Sequence, residues 1–199
     1  MGWRSLIEEF SGSLLAGIST LIMDPRMLKR GLEEIREPYR SIVAKLLEGL
    51  LDRFGERLIS LIVYGSVARG DFRADSDLDL LIVIDGLPGS RLERQRMLLE
   101  VEEESSLRSF LEDLWNRGVN VDLSPIIITP AEASRIRPIY LDMVEDSIIV
   151  HDKDGFFERI LERLRDALER LGAERIWVGK KWYWRLKKDY RPGEVIEIE

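Results

Sequence analysis

The sequence predicts an α/β fold, a small sheet flanked by helices, and three observations carry that prediction. Two apolar runs, 58–64 and 77–84, have the length and branched composition of strands and are separated by a Gly65-Ser66 break. A third such run spans 119–128. Around them apolar residues recur at helical spacing, at Ile42, Leu46, Leu50 and Phe54, and again at Phe157, Ile160, Leu161, Leu164, Leu168 and Leu171.

Composition sets the outer limits. A chain of 199 residues suits one domain with extensions and buries a sizeable core. Hydrophobic content of 45% with 34% charge excludes a disordered chain. There is no cysteine, and His151 is the sole histidine, so disulfides, thiolate metal sites and multi-histidine sites are excluded. Asn occurs only at positions 116 and 120 and Gln only at 95, which points to a thermophilic source. The apolar window 13–23 is too short to span a bilayer, and Glu8 and Glu9 before it spoil a signal peptide, so a cytoplasmic protein is expected.

Residues 1–32 read as a helical extension, with Trp3, Leu6, Ile7, Phe10, Leu14 and Leu15 at helical spacing and Asp24-Pro25 opening a further turn. It is expected to pack on the domain, with a homo-oligomer contact as the other use. The domain proper is expected over 33–172. It opens with a helix over 33–54, ended by Gly55, which braces the strand after it.

The chemistry sits between the first two strands, in YGSVARGDFRADSDLDLLIV. Asp77 and Asp79 alternate with Leu78 and Leu80, so strand periodicity puts both carboxylates on one face. Two adjacent carboxylates repel unless a cation lies between them, and oxygen ligands favour Mg²⁺ or Mn²⁺. Gly65 permits close backbone approach, and Ser66 offers a hydroxyl and an N–H at a helix start, a setting that suits phosphate. A phosphate cradle beside a metal-binding acid pair is apparatus for moving a phosphorus group. A P-loop fails because Asp71 stands where Lys is required. A calcium loop fails because Leu80 and Gly86 replace its Gly and Glu. Arg69, three residues after Ser66, either reaches a phosphate or pairs with Asp71 or Asp75.

A helical region over 91–117 follows, stopped by Gly118, and its acidic run Glu102-Glu103-Glu104 reads as a solvated face. In the third strand Asp122 is a lone acid among apolar residues, with Pro125 interrupting pairing soon after, as at an edge. Thr129-Pro130 caps a helix that Pro138 breaks, 147–150 is a short strand, 151–155 a turn with a structural His151, and Gly172 ends the last helix. The tail, 173–199, differs in character. Trp177, Trp182, Tyr183, Trp184 and Tyr190 interleave with seven basic residues over 174–193, a balance of +5 that leaves −12 for the rest. Such a stretch either binds nucleic acid or folds its aromatics back onto the domain, and the second is favoured because Trp is costly to expose. If it is a strand, Trp182 and Trp184 share one side and Tyr183 the other.

Gly65-Ser66, ten residues, then Asp77-Leu78-Asp79-Leu80 resembles the signature of the polymerase-β-like nucleotidyltransferases, and its context is most similar to the minimal nucleotidyltransferases of archaea and bacteria. The resemblance is tight over about thirty residues and loose to about residue 171. It implies that family's fold, a small mixed sheet with flanking helices. It implies a nucleoside triphosphate, ATP in the first instance, bound by Gly65, Ser66 and Arg69. It implies catalytic acids Asp77, Asp79 and Asp122 holding Mg²⁺ or Mn²⁺. It leaves the acceptor open between a separate HEPN-type toxin protein, against which the chain would act as antitoxin, a small molecule, and an RNA end. A module that binds nucleotide without turnover is the non-enzymatic reading.

Overall fold

A five-stranded sheet forms the middle layer of the computed structural model, which describes residues 28–73, 76–179, 181–191, 194–196 and 198. Its strands are β1 (Lys29–Arg30), β2 (Leu58–Tyr64), β3 (Leu78–Ile84), β4 (Leu123–Ile128) and β5 (Ser147–Asp152), in the order β1-β5-β2-β3-β4. β2 is antiparallel to both β3 and β5, whereas β4 runs parallel to β3 and β1 parallel to β5, so the sheet is mixed as expected. The helices are α1 (Tyr39–Phe54), α2 (Gly65–Arg69), α3 (Arg91–Glu104), α4 (Leu107–Asn116), α5 (Pro130–Ala133), α6 (Pro138–Met143) and α7 (Phe156–Leu171).

The period of two along β2 and β3 divides the core into two layers. Leu61, Val63, Leu80 and Ile82 pack with Ile42, Leu46 and Leu50 of α1 and with Leu98 and Val101 of α3. Ile62, Leu81 and Val83 pack with Tyr140 and Met143 of α6 and with Phe157, Ile160, Leu161 and Leu164 of α7. Each such large apolar side chain contributes about 1.5–3 kcal/mol on burial. Both faces of β2 and β3 are therefore covered, and only their ends reach water.

Several boundaries differ from the sequence expectation. α1 begins at Tyr39 rather than at 33, because Pro38 takes the N-cap and Leu32–Glu34 forms a separate 3-10 turn. The region 91–117 divides at Ser105 and Ser106, where Ser105 turns extended (ψ 170°) and its N–H closes the previous helix on Val101 O. β4 starts only at Leu123, so Asp122 lies just outside it. Pairing is not interrupted at Pro125, since the register continues to Val83↔Ile128. Pro125 is tolerated because β4 is an edge, with a neighbour on one side only. β5 runs on through His151, whose Nε2 lies 3.3 Å from Leu58 O, a structural position as expected. The helix of Trp3 to Leu15 and the Asp24-Pro25 turn lie outside the described residues. Lys29 and Arg30 add a short strand where the helical extension was expected.

An ion pair between buried Arg94 and partly exposed Glu132 fastens the edge of the sheet. Arg94 on α3 is 6% exposed; its Nη1 donates to Glu132 Oε2 at 2.7 Å and to Ile127 O at 3.2 Å. Glu132 also accepts the Thr129 N–H at 2.8 Å, completing a capping box at the start of α5. Among the described residues no helix is long and apolar enough to cross a membrane.

The tail forms a hairpin of β6 (Glu174–Val178) and β7 (Lys181–Arg185). Trp184 and Leu186 pack against the α6–α7 core layer, while Tyr183 is 54% exposed. Both indole N–H groups, of Trp182 and Trp184, donate to Asp142 Oδ1, at 2.8 and 2.9 Å. Arg175 pairs with Asp146. The fold-back expectation and the predicted alternation both hold.

Candidate active site

The site is built where β2 and β3 leave the core. β2 ends at Tyr64, directly opposite Asp79 on β3. Gly65 then turns with φ +72°, and a Cβ built there would overlap the Asp79 carboxylate. Glycine is thus required twice, by the backbone angle and by the approach. α2 follows for five residues and closes at Gly70, whose N–H donates to Ser66 O at 2.9 Å. Phe72 stacks edge-on against Tyr39 at 4.9 Å, and the Tyr39 hydroxyl donates to Ser76 O at 2.9 Å, which returns the chain to β3.

The acids are brought together by the backbone. Leu78 N–H donates to Asp122 O at 2.8 Å, and the register Leu78↔Leu123 and Asp79↔Ser124 sets Asp122 beside Asp77. Adjacent parallel positions share a face, so Asp77, Asp79 and Asp122 all lie on the side of α6, α7 and the hairpin. Asp77 and Asp122 are exposed and Asp79 is half-buried. Among the described residues no three acidic or histidine side chains close around a common point.

Electrostatics mark Asp79 as the strained member. Burial raises its pKa first and the neighbouring charge of Asp77 second, with Arg69 opposing both. Tyr64 is pushed up to about 12, by burial and then by the Asp79 charge. Of the two alternatives for Arg69 the structure shows the ion pair: its Nε donates to Asp71 Oδ1 at 3.2 Å, and its charge is also felt at Asp79. A cleft of about 280 Å³ reaches Asp122 from the other side of the sheet, lined among others by Leu111, Trp115, Val121 and Arg108 of the α3–α4 side. Glu102 borders it too. Of the acidic run, Glu103 and Glu104 are solvated as expected, but Glu102 is half-buried and burial raises its pKa.

Two neighbours of the site are not legible in the motif. Tyr64 belongs to the apolar run, and only the strand register places it beside Asp79. Trp182 lies over Arg69, its ring centre 4.7 Å from the guanidinium carbon, from more than a hundred residues away. The tail's alternation predicts which side Trp182 takes but not what it meets.

Residues 43–160 match the nucleotidyltransferase domain family. A Methanocaldococcus jannaschii protein provisionally named a protein adenylyltransferase is 31% identical over 162 residues, 80% of this chain and 96% of its own length. A second protein of that organism, named in the same way, is 27% identical over 104 residues, 44% of this chain and 96% of its own length. Among solved structures, a provisionally assigned nucleotidyltransferase from Sulfolobus solfataricus is 19% identical with TM-score 0.37, covering 57% of this chain and 80% of its own. A toxin–antitoxin complex with AMP-PNP is 13% identical with the same TM-score, 0.37, covering 65% and 91%. With the Gly-Ser turn set against Asp79 on a mixed sheet, and a match over more than half its length, the chain belongs to the polymerase-β-like nucleotidyltransferases.

Proposed function

We propose that this protein transfers AMP from ATP to an acceptor hydroxyl. One observation carries the reading: Gly65 stands against the carboxylate of Asp79, so a phosphate held by the turn lies beside the acid pair. Burial first, and then the neighbouring charge of Asp77, raise the pKa of Asp79, and a hard cation between these oxygen donors would offset both. Asp77, Asp79 and Asp122 would hold Mg²⁺ or Mn²⁺, and that ion offsets the charge of the triphosphate and lowers the acceptor's pKa. Gly65, Ser66 and Arg69 bind the β- and γ-phosphates. The acceptor enters past the exposed Asp122. Its oxygen bonds to the α-phosphorus, the bond to the bridging oxygen breaks, pyrophosphate leaves, and Asp122 takes the acceptor's proton.

The names of the M. jannaschii relatives support a protein acceptor over a small molecule or an RNA end. A separate HEPN-type protein, silenced by adenylylation, is the partner this reading favours, which makes the chain an antitoxin. Labelled ATP and purified candidate acceptors test it. Asp122→Asn is expected to lower transfer at least about 100-fold while ATP affinity stays within about threefold, since Asp77 and Asp79 still hold the nucleotide's ion. Full transfer by Asp122→Asn would return Asp122 to the role of a surface acid.

A further inference from the structure

The hairpin's latch leaves one contact unexplained. Asp142 accepts both indole N–H groups, and Asp146 pairs with Arg175; these bonds suffice to hold β6 and β7 on the domain. Within the hairpin the Trp182 ring packs 4.9 Å from that of Trp177 and lies 5.7 Å from the guanidinium carbon of Arg175. It also lies over Arg69, its ring centre 4.7 Å from that guanidinium carbon, a contact the latch does not require. The Arg69 side chain is only 17% exposed. Its Nε is engaged by Asp71, at 3.2 and 3.3 Å from the two carboxylate oxygens. Among the described residues neither terminal amino group of Arg69 has a hydrogen-bond partner. Among the described residues the guanidinium is therefore held by its plane and its inner nitrogen alone. It is also close enough to Asp79 to oppose the rise in that acid's pKa.

We infer that Trp182 is a positioning residue for nucleotide binding, holding Arg69 so that its outer N–H groups meet the β- and γ-phosphates. The inference rests on the nucleotide reading above. Its physical basis is that stacking on an indole restrains a guanidinium without consuming its in-plane donors, whereas a second carboxylate would consume them. A long, flexible side chain restrained before the ligand arrives loses less entropy on binding. The hairpin lies beyond residues 43–160, so the core domain alone lacks this restraint.

Trp184 supplies the control, because it makes the same bond to Asp142 and has no contact with Arg69. ATP·Mg²⁺ affinity is measured by calorimetry, and hairpin docking by Tm, on the full chain. Trp182→Ala is expected to weaken ATP·Mg²⁺ about tenfold. Trp184→Ala, which lowers Tm comparably, is expected to leave affinity within about twofold. Trp182→Phe keeps an aromatic face without the N–H and should restore affinity to within about twofold. In an Arg69→Ala background, Trp182→Ala should cost nothing further. If the two alanine variants weaken ATP equally, or if Trp182→Ala still matters without Arg69, the hairpin is only general support and the inference is overturned. If the wild-type chain does not bind ATP·Mg²⁺ at all, the nucleotide reading itself falls. If it binds and Arg69→Ala weakens it but Trp182→Ala does not, only the role of Trp182 falls.

Discussion

Gly65 and Asp79 show how closely the site is drawn at the level of single residues. Gly65→Ala must place a Cβ into the Asp79 carboxylate at a φ of +72°. The left-handed backbone alone costs about 1–2 kcal/mol, and the collision displaces the acid. We expect a Tm lower by about 2–8 °C and loss of ATP·Mg²⁺ binding, read by thermal melting and calorimetry; unchanged binding would mean that the turn does not form the cradle. Asp79 carries a pH signature. Its folded pKa lies above the ordinary 3.8, so the folded chain holds that proton more tightly than the unfolded one. The contribution of this group to stability is therefore most favourable below 3.8 and declines as pH rises through the raised folded value. A divalent cation competes with the same proton, so its affinity should fall as pH is lowered through that window. Without ion, Asp79→Asn should melt no lower than wild type at neutral pH, and its pH profile should lose this component; a lower Tm would mean that the charged acid is an asset to the apo protein.

Among the elements, α5 and the sheet edge are held by the Arg94–Glu132 pair. Arg94 and Thr129 lower the Glu132 pKa to about 2 from 4.5, with the Arg94 bond the larger cause. A depressed carboxylate stabilises the fold above about 4.5, and the contribution disappears as pH falls through about 2. Glu132 is 36% exposed, so water screens part of the pair, but Glu132→Gln leaves the buried Arg94 without its counter-charge. The expected cost is about 1–2 kcal/mol, a Tm drop of about 2–8 °C at neutral pH that shrinks as pH falls from about 4.5 towards about 2, where wild type loses the same interaction. An equal drop at both pH values would assign the effect to packing rather than charge. Periodicity made most elements readable, because the apolar repeat at Ile42, Leu46 and Leu50 and the alternation around Leu80 and Ile82 are set by the core they face. Boundaries were less readable. Pro38 delays α1, and Ser105 and Ser106 split α3 from α4 through local backbone preference that the apolar repeat overrides on paper. The Arg94–Glu132 pair joins residues 38 apart and has no local signal.

Over the whole molecule, the layers explain why the site sits where it does. β2 and β3 are covered on both faces, so polar chemistry is confined to their ends, and the parallel register of β4 carries Asp122 to the same end. The signature from Gly65 to Leu80 was legible because catalysis constrains residue type and spacing within one short stretch. The position of Asp122 rested on resemblance, and the register now accounts for it. Trp182 over Arg69 was not legible, because nothing in the tail's own sequence names its partner.

The central claim is that Asp77 and Asp79 beside Gly65 form a metal-dependent nucleotide site. Calorimetric titration of ATP into the full chain, with Mg²⁺ and with EDTA, tests it most directly when repeated on Asp79→Asn. We expect binding with Mg²⁺, at least about tenfold weaker binding in EDTA, and none by Asp79→Asn despite an intact melting transition. Equal affinity with and without Mg²⁺, or full affinity in folded Asp79→Asn, would contradict it.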